Sequence, residues 1–197
     1  VRKYSRGVLF MLRRDAPDLA EDIVQDTFRV ILERLRQRSL DEPSQLNRFI
    51  SMHALSFVHY NLIHMTNWVI NAMPERFPKL KTVWVESGLA WIPFLMQRLD
   101  HEVMMRQSEA PGLKRLPSEY MREMYYSSQP MERNDLGLLE ATMKAMKAET
   151  QLLYSSDWPH ATFDPLNWVF HPHVSEEGRR KILGENGRAW YPRLKQA

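Results

Sequence analysis

The chain has 197 residues, 44% of them hydrophobic and 26% charged, enough to bury one core or two small ones. Its net charge of +3 is too small to imply nucleic acid by itself, and the absence of cysteine excludes disulfides and thiolate metal sites. No apolar run approaches the roughly 20 residues of a membrane-spanning helix. Residues 1–15 lack the continuous apolar stretch of a secretory leader, and with no cysteine a reducing cytoplasm is the expected location. The sequence opens at Val1 rather than Met, as a processed product, a trimmed chain or a fragment would.

The first fifty residues read as helices. Gly7-Val-Leu-Phe-Met-Leu12 is a short apolar stretch. Asp15 is placed to cap a helix with Pro17 in its first turn, where a missing N–H costs nothing. Asp18, Glu21 and Asp22 suit the positive end of its dipole. Val24, Phe28, Ile31 and Leu35 then recur at helical spacing as one apolar stripe. Ser39 to Pro43 breaks this helix, and Ser44 caps the next, which carries Leu46, Phe49 and Ile50.

From there the pattern alternates between helix and strand. Ser56 to Met73 is largely apolar and predicts a helix ending at Pro74. Lys81-Thr-Val-Trp-Val85 predicts a buried strand, and Ser87-Gly88 turns the chain. A helix follows from about Trp91 to Arg106, with Pro93 in its first turn. A weaker strand centres on Met124-Tyr125-Tyr126. Asn134 or Asp135 caps a helix with Leu138, Leu139, Met143 and Met146 on one side. Leu152-Leu-Tyr154 predicts a third strand, leading to Asp157, and Ser175 caps a last helix that stops near Gly184. Strands joined by helices predict a parallel α/β sheet, with strands near 82–86, 124–127 and 152–156.

Candidate chemistry sits at the strand ends. Glu86 and Asp157 each follow an apolar strand, and His160 lies three residues beyond Asp157. In a βα barrel the C-terminal strand ends converge on one face. Two carboxylates and a histidine there could bind a divalent metal or exchange protons. Turn and cap roles would place the same residue types at these positions.

Two resemblances refine this reading. Leu19-Ala-Glu-Asp-Ile-Val-Gln-Asp-Thr-Phe28, followed by Val30-Ile-Leu-Glu-Arg-Leu35, resembles region 2 of extracytoplasmic-function sigma factors. That resemblance implies docking on RNA polymerase through residues 15–37, with Asp22, Gln25, Asp26 and Phe28 on the docking helix. This family continues with a promoter-melting helix rich in basic and aromatic residues, and residues 51–60 lack the Arg-Asn-Leu run expected there.

Phe57-Val-His-Tyr-Asn61, Pro74-Glu-Arg-Phe-Pro78, Val85-Glu-Ser-Gly-Leu-Ala-Trp91, Gln97-Arg-Leu-Asp-His101, Leu116-Pro-Ser-Glu-Tyr120 and Ser156-Asp-Trp-Pro-His160 together resemble the amidohydrolase-related family, over about residues 52–194. This implies the last three βα units of a TIM barrel, with metal-dependent hydrolase or nonoxidative decarboxylase chemistry on a small carboxylated substrate. By the resemblance, Asp157 is a metal ligand or the base that activates metal-bound water, and His160 faces the substrate. Glu86 stands where many members carry a metal-directed histidine, and here the motif is Glu-Ser-Gly. Zinc is the expected ion, in a site left incomplete because the His-x-His pair of the family's first strand has no counterpart. His171-Pro-His173 has that spacing but follows the last strand. His53, His59 and His64 are expected in supporting or surface roles, and Arg98 in an ion pair.

The expected organisation is a helical segment over 1–50 and the C-terminal half of a barrel over 51–197. Three strands leave open sheet edges, which invite association. Activity is expected to be weak or absent in this chain alone. The competing readings are a polymerase-binding module and a fused or truncated product without selected function.

Overall fold

The structure, a computed structural model, describes residues 48–168 and 173–191. The chain separates into two units, residues 1–52 and 53–197. The side chains discussed below all belong to the second. The helices expected before residue 48, and with them Asp22, Gln25, Asp26 and Phe28, lie outside the described residues.

The described elements run in the order α1 (Phe49–Ile70), α2 (Met73–Arg76), β1 (Val83–Trp84), α3 (Trp91–Met105), α4 (Pro117–Met121), β2 (Tyr125–Ser127), α5 (Leu136–Met146), α6 (Ala148–Gln151), β3 (Leu152–Leu153), α7 (Glu176–Arg180), a π-helical turn (Lys181–Glu185) and α8 (Asn186–Trp190). The three strands form one sheet in the order β1-β2-β3, and both pairings are parallel. Parallel pairing requires a crossover between strands, and α3 with α4, then α5 with α6, supply it. This is an α/β arrangement. Val83 pairs with Tyr125 and Tyr126 with Leu152, which leaves β2 in the centre.

The strands are shorter than the sequence predicts, and polar side chains are the reason. Past β1, Val85 O accepts from Asn61 Nδ2 at 3.0 Å, and Glu86 N donates to Ser127 Oγ at 3.0 Å. Past β3, Ser155 N donates to Ser128 Oγ at 3.1 Å, and the same hydroxyl donates to Ser155 O at 3.2 Å. Side chains take the bonds that a longer backbone ladder would have made.

The core fills the space between the sheet and its helices. In α3, Ile92, Leu95, Met96, Leu99 and Val103 recur at three- and four-residue steps and are all buried. Tyr126 is buried at the centre of β2, and its hydroxyl donates to Met121 O at 2.8 Å. Burial without ionisable partners pushes that phenol well above its ordinary range. Methionines supply much of the remaining packing, Met65, Met121 and Met146 among them; their unbranched chains suit irregular gaps.

Several helix limits differ from expectation. Pro74 does not end a long helix. α1 stops at Ile70, Ala72 turns through left-handed backbone at φ 54, and Pro74 sits in the first turn of α2. Asp135 is the cap of α5, accepting from Leu138 N at 3.0 Å. Leu138 itself points to solvent at 57% exposure, and Thr142 takes its expected place on the buried face. Ser175 caps α7 as expected, through Gly178 N at 2.9 Å. Gly184 ends nothing, because helical backbone runs on through the π turn to Trp190. That turn also lies beside β3, where Tyr154 N donates to Ile182 O at 3.1 Å. Among the described residues no strand pairs with the outer side of β1.

Candidate active site at the strand ends

Parallel strands put all their C-terminal ends on one side, so Glu86, Gln129 and Asp157 follow β1, β2 and β3 at the same end of the sheet. Both acidic residues adopt left-handed backbone, at φ 56 for Glu86 and φ 61 for Asp157. A non-glycine residue there costs about 1 kcal/mol or more unless local hydrogen bonds compensate. Such turns concentrate where a side chain must be aimed rather than merely accommodated.

Asp157 has that compensation. Its Oδ2 accepts from Thr162 Oγ1 at 2.7 Å and from Gln129 Nε2 at 3.4 Å. Its Oδ1 meets His160 Nδ1 at 2.7 Å. The turn is closed by His160 N donating to Asp157 O at 2.8 Å and by Asp164 N donating to Ser156 O at 2.9 Å. The Asp157 side chain is 11% exposed, whereas the His160 ring is 71% exposed. The carboxylate is therefore a recessed anchor, and the imidazole reaches outward from it.

The hydrogen bond from Thr162 holds the Asp157 carboxyl below its ordinary range, against the opposing effect of partial desolvation. The His160 hydrogen bond and the charges of His160 and His53 act in the same direction. Asp164, seven residues on, behaves oppositely. It is buried, accepts from Met131 N at 2.7 Å, and is pushed upward mainly by desolvation.

Gln129 ties β2 into this arrangement. It is buried, and its side-chain amide reaches both Asp157 and Thr162 O, the latter at 3.3 Å. Its carbonyl accepts from Ser127 Oγ at 3.1 Å, the hydroxyl that receives Glu86 N. A continuous run of hydrogen bonds thus crosses all three strand ends.

Glu86 itself is solvent-exposed. Among the described residues no three histidine, aspartate or glutamate side chains gather as a metal-holding group, so Glu86, Asp157 and His160 do not form one. β1 and β3 are separated by β2, which places them roughly 10 Å apart. Asp157 already spends one oxygen on His160 and the other on Thr162. Catalytic zinc ordinarily takes three protein ligands, and the described residues do not provide that set.

The other sequence candidates are dispersed. Arg98 pairs with Glu102 at 3.3 Å on the exposed side of α3. His59 meets Tyr60 edge-on at 6.1 Å between centroids. His173 Nε2 pairs with Glu140 at 2.9 Å, and His171 lies outside the described residues. Sequence reasoning missed Thr162 and Gln129. The position of Gln129 at the end of the middle predicted strand was the available signal.

A profile of the amidohydrolase family matches residues 34–193. The chain belongs to the amidohydrolase family. The match begins earlier than residue 52, where the resemblance was expected to start. A gamma-resorcylate decarboxylase of Polaromonas sp. (strain JS666 / ATCC BAA-500) is 23% identical over 129 residues, covering 64% of this chain and 39% of that protein. Two solved structures share the fold, each with a TM-score of 0.53 and 23% identity. One is the amidohydrolase map2389c from Mycobacterium avium subsp. paratuberculosis K-10, with 64% of this chain and 31% of that chain covered. The other is a dihydroxybenzoic acid decarboxylase from Polaromonas sp. JS666 with bound manganese and the inhibitor 2-nitroresorcinol, with 69% and 40% covered. This amidohydrolase-family chain thus spans about two fifths or less of the length of these relatives. No helix among its described residues is long and apolar enough to cross a membrane.

Proposed function

We propose that this chain carries the last three βα units of an amidohydrolase-type barrel and the corresponding part of its active site. The reaction is hydrolysis or nonoxidative decarboxylation of a small carboxylated substrate, with an aromatic hydroxy acid as the first choice. The observation that carries this reading is Asp157: a carboxylate at the C-terminal end of a parallel strand, in left-handed backbone, bonded to an outward-facing histidine. With Nδ1 on Asp157, His160 has Nε2 free of that bond and can hold or deliver a proton there. In a decarboxylation the bond between the ring carbon and its carboxylate breaks and carbon dioxide leaves. The electron pair stays on the carbon, which takes the proton from His160 Nε2. Thr162 and Gln129 keep the Asp157 carboxylate aimed at Nδ1 throughout.

Bound, a divalent ion would supply Lewis-acid polarisation in this family. The decarboxylase from Polaromonas sp. JS666 holds manganese, whereas zinc is the ion expected from the resemblance. The described residues do not make up a ligand set for such an ion. Asp157 is the proposed ligand from this chain, and Glu86 would join only if groups beyond the described residues drew the two together. No observation favours polymerase docking through residues 15–37.

The test is decarboxylation of 2,6-dihydroxybenzoate with manganese or zinc present. The 197-residue chain is assayed alone and mixed with the complementary upstream barrel segment of the Polaromonas decarboxylase. Negligible turnover is expected alone, with a gain on mixing that Asp157→Asn and His160→Gln each remove. A gain that survives both substitutions, or none in any mixture, would sink the proposal.

A further inference from the structure

A concave site lies away from Asp157. A cavity of about 420 Å³ opens between α5, the turn into α6, and the His173–Val174 segment. Its volume falls within the range of small-molecule sites. Met143, Ala148 and Val174, all buried, form its apolar wall. Lys147 to Thr150 precede β3 whereas Asp157 follows it, so the two sites are separated by the length of the strand and its extension, roughly 15–20 Å.

The charged groups on its rim are unequally committed. Glu140 gives Oε1 to Lys144 at 2.6 Å and Oε2 to His173 at 2.9 Å. Glu149 gives both oxygens to Ser175, accepting from its N–H at 2.9 Å and from its hydroxyl at 3.0 Å. Lys147 stands apart: among the described residues its ammonium has no hydrogen-bond or ion-pair partner. Lys147 lines the cavity from left-handed backbone, φ 58, as the C-terminal cap of α5. Its own N–H covers the carbonyls of Met143 and Lys144, which reduces their repulsion of an incoming anion.

We propose that this cavity binds a small organic monocarboxylate. The apolar body would lie on Met143, Ala148 and Val174, and the carboxylate would meet Lys147. Both native carboxylates are internally satisfied, so neither competes for that ammonium, and an apolar wall with one uncommitted cation selects an amphiphilic anion over a cation or a sugar. The site is independent of the proposed decarboxylation and would regulate or tether rather than react, since no nucleophile or acid–base pair faces it unengaged.

The probe is hexanoate, titrated into the full chain carrying ¹³C-methyl methionine, with hexanamide as its uncharged counterpart. We expect a saturable shift of the Met143 methyl with hexanoate. Binding should weaken about tenfold or more with hexanamide, and equally with hexanoate on Lys147→Gln, as loss of one charge-assisted hydrogen bond requires. Lys147→Arg should restore it. No saturable shift at Met143, equal affinity for hexanamide, or unchanged affinity in Lys147→Gln would each overturn the proposal. The hexanamide comparison uses the unmodified chain, so it decides the matter even if the variants fold poorly.

Discussion

Tyr120→Phe removes a single oxygen from a buried ring and leaves its packing intact. That oxygen accepts from two backbone donors, Lys114 N and Arg115 N, both at 3.0 Å, and donates to Glu75 Oε1 at 2.7 Å. The Tyr120 residue is 1% exposed, so phenylalanine leaves the two N–H groups without their acceptor in a partly buried place. At about 1 kcal/mol for each of the two lost backbone bonds, the loss is roughly 2 kcal/mol at neutral pH before any contribution from Glu75. This corresponds to a fall in Tm of roughly 4–8 °C. The effect also depends on pH. The ammonium of Lys114, and after it the Tyr120 hydroxyl, hold the Glu75 carboxyl below its ordinary range in the folded state. A depressed carboxyl stabilises the fold above its unfolded-state pKa, and that stability is lost as pH falls through the folded-state value. Without Tyr120 Oη the depression is smaller, so the variant starts with less of this contribution to lose. The gap between parent and variant should therefore be widest at neutral pH and narrow once both have been acidified below the folded value. Urea unfolding followed by tryptophan fluorescence, across that pH range, measures both. A neutral-pH gap below about 0.5 kcal/mol would refute the assignment of the hydroxyl as acceptor. A gap that does not narrow in acid would refute its coupling to Glu75.

Thr162→Val should raise the Asp157 carboxyl towards the ordinary range, since the Thr162 hydroxyl is the main cause of its depression. Carboxyl ¹³C titration reads this directly, and an unmoved value would show that the 2.7 Å bond does not persist in solution. By the same linkage, acid destabilisation tied to Asp157 begins below its unfolded-state pKa and ends at its folded one, so the substitution should narrow that window. Gly88→Ala should cost about 1–3 kcal/mol in the same unfolding assay, because a side chain there is strained at φ 67 and its Cβ would collide with the Glu132 carboxylate that receives Leu89 N. Near-parent stability would mean that this turn relaxes freely. After purification in the presence of zinc and manganese, the chain should hold well under one equivalent of tightly bound metal, as elemental analysis would show. A stoichiometric ion lost on Asp157→Asn would mean that a ligand set exists beyond the described residues.

Local chemistry made part of this fold legible in the sequence. The apolar run at Val83-Trp84, the caps Asp135 and Ser175, and the turn at Gly88 follow from side-chain hydrogen bonding and backbone sterics within a few residues. The parallel pairing followed too, because a helix between successive strands leaves little alternative. The limits of α1 and of the last helix were not legible. Pro74 is as acceptable in a first turn as after a helix end, and Gly184 fits inside a π turn as readily as at a terminus.

The candidate site divides in the same way. Asp157 and His160 are three residues apart, so their pairing needs only a tight turn, and the motif alone places both. By itself the sequence determined which residue types end which strand, and hence that Glu86 and Asp157 follow strands at the same end of the sheet. Tertiary structure decided the rest: that Gln129 from the neighbouring strand reaches Asp157, that Thr162 and not Glu86 shares its carboxylate, and that Lys147 faces a cavity with its charge uncommitted. Those outcomes depend on strand order and on competition among distant hydrogen-bond partners. Such competition is settled by burial once the elements pack, because a polar group removed from water must bond to whatever the fold brings within reach.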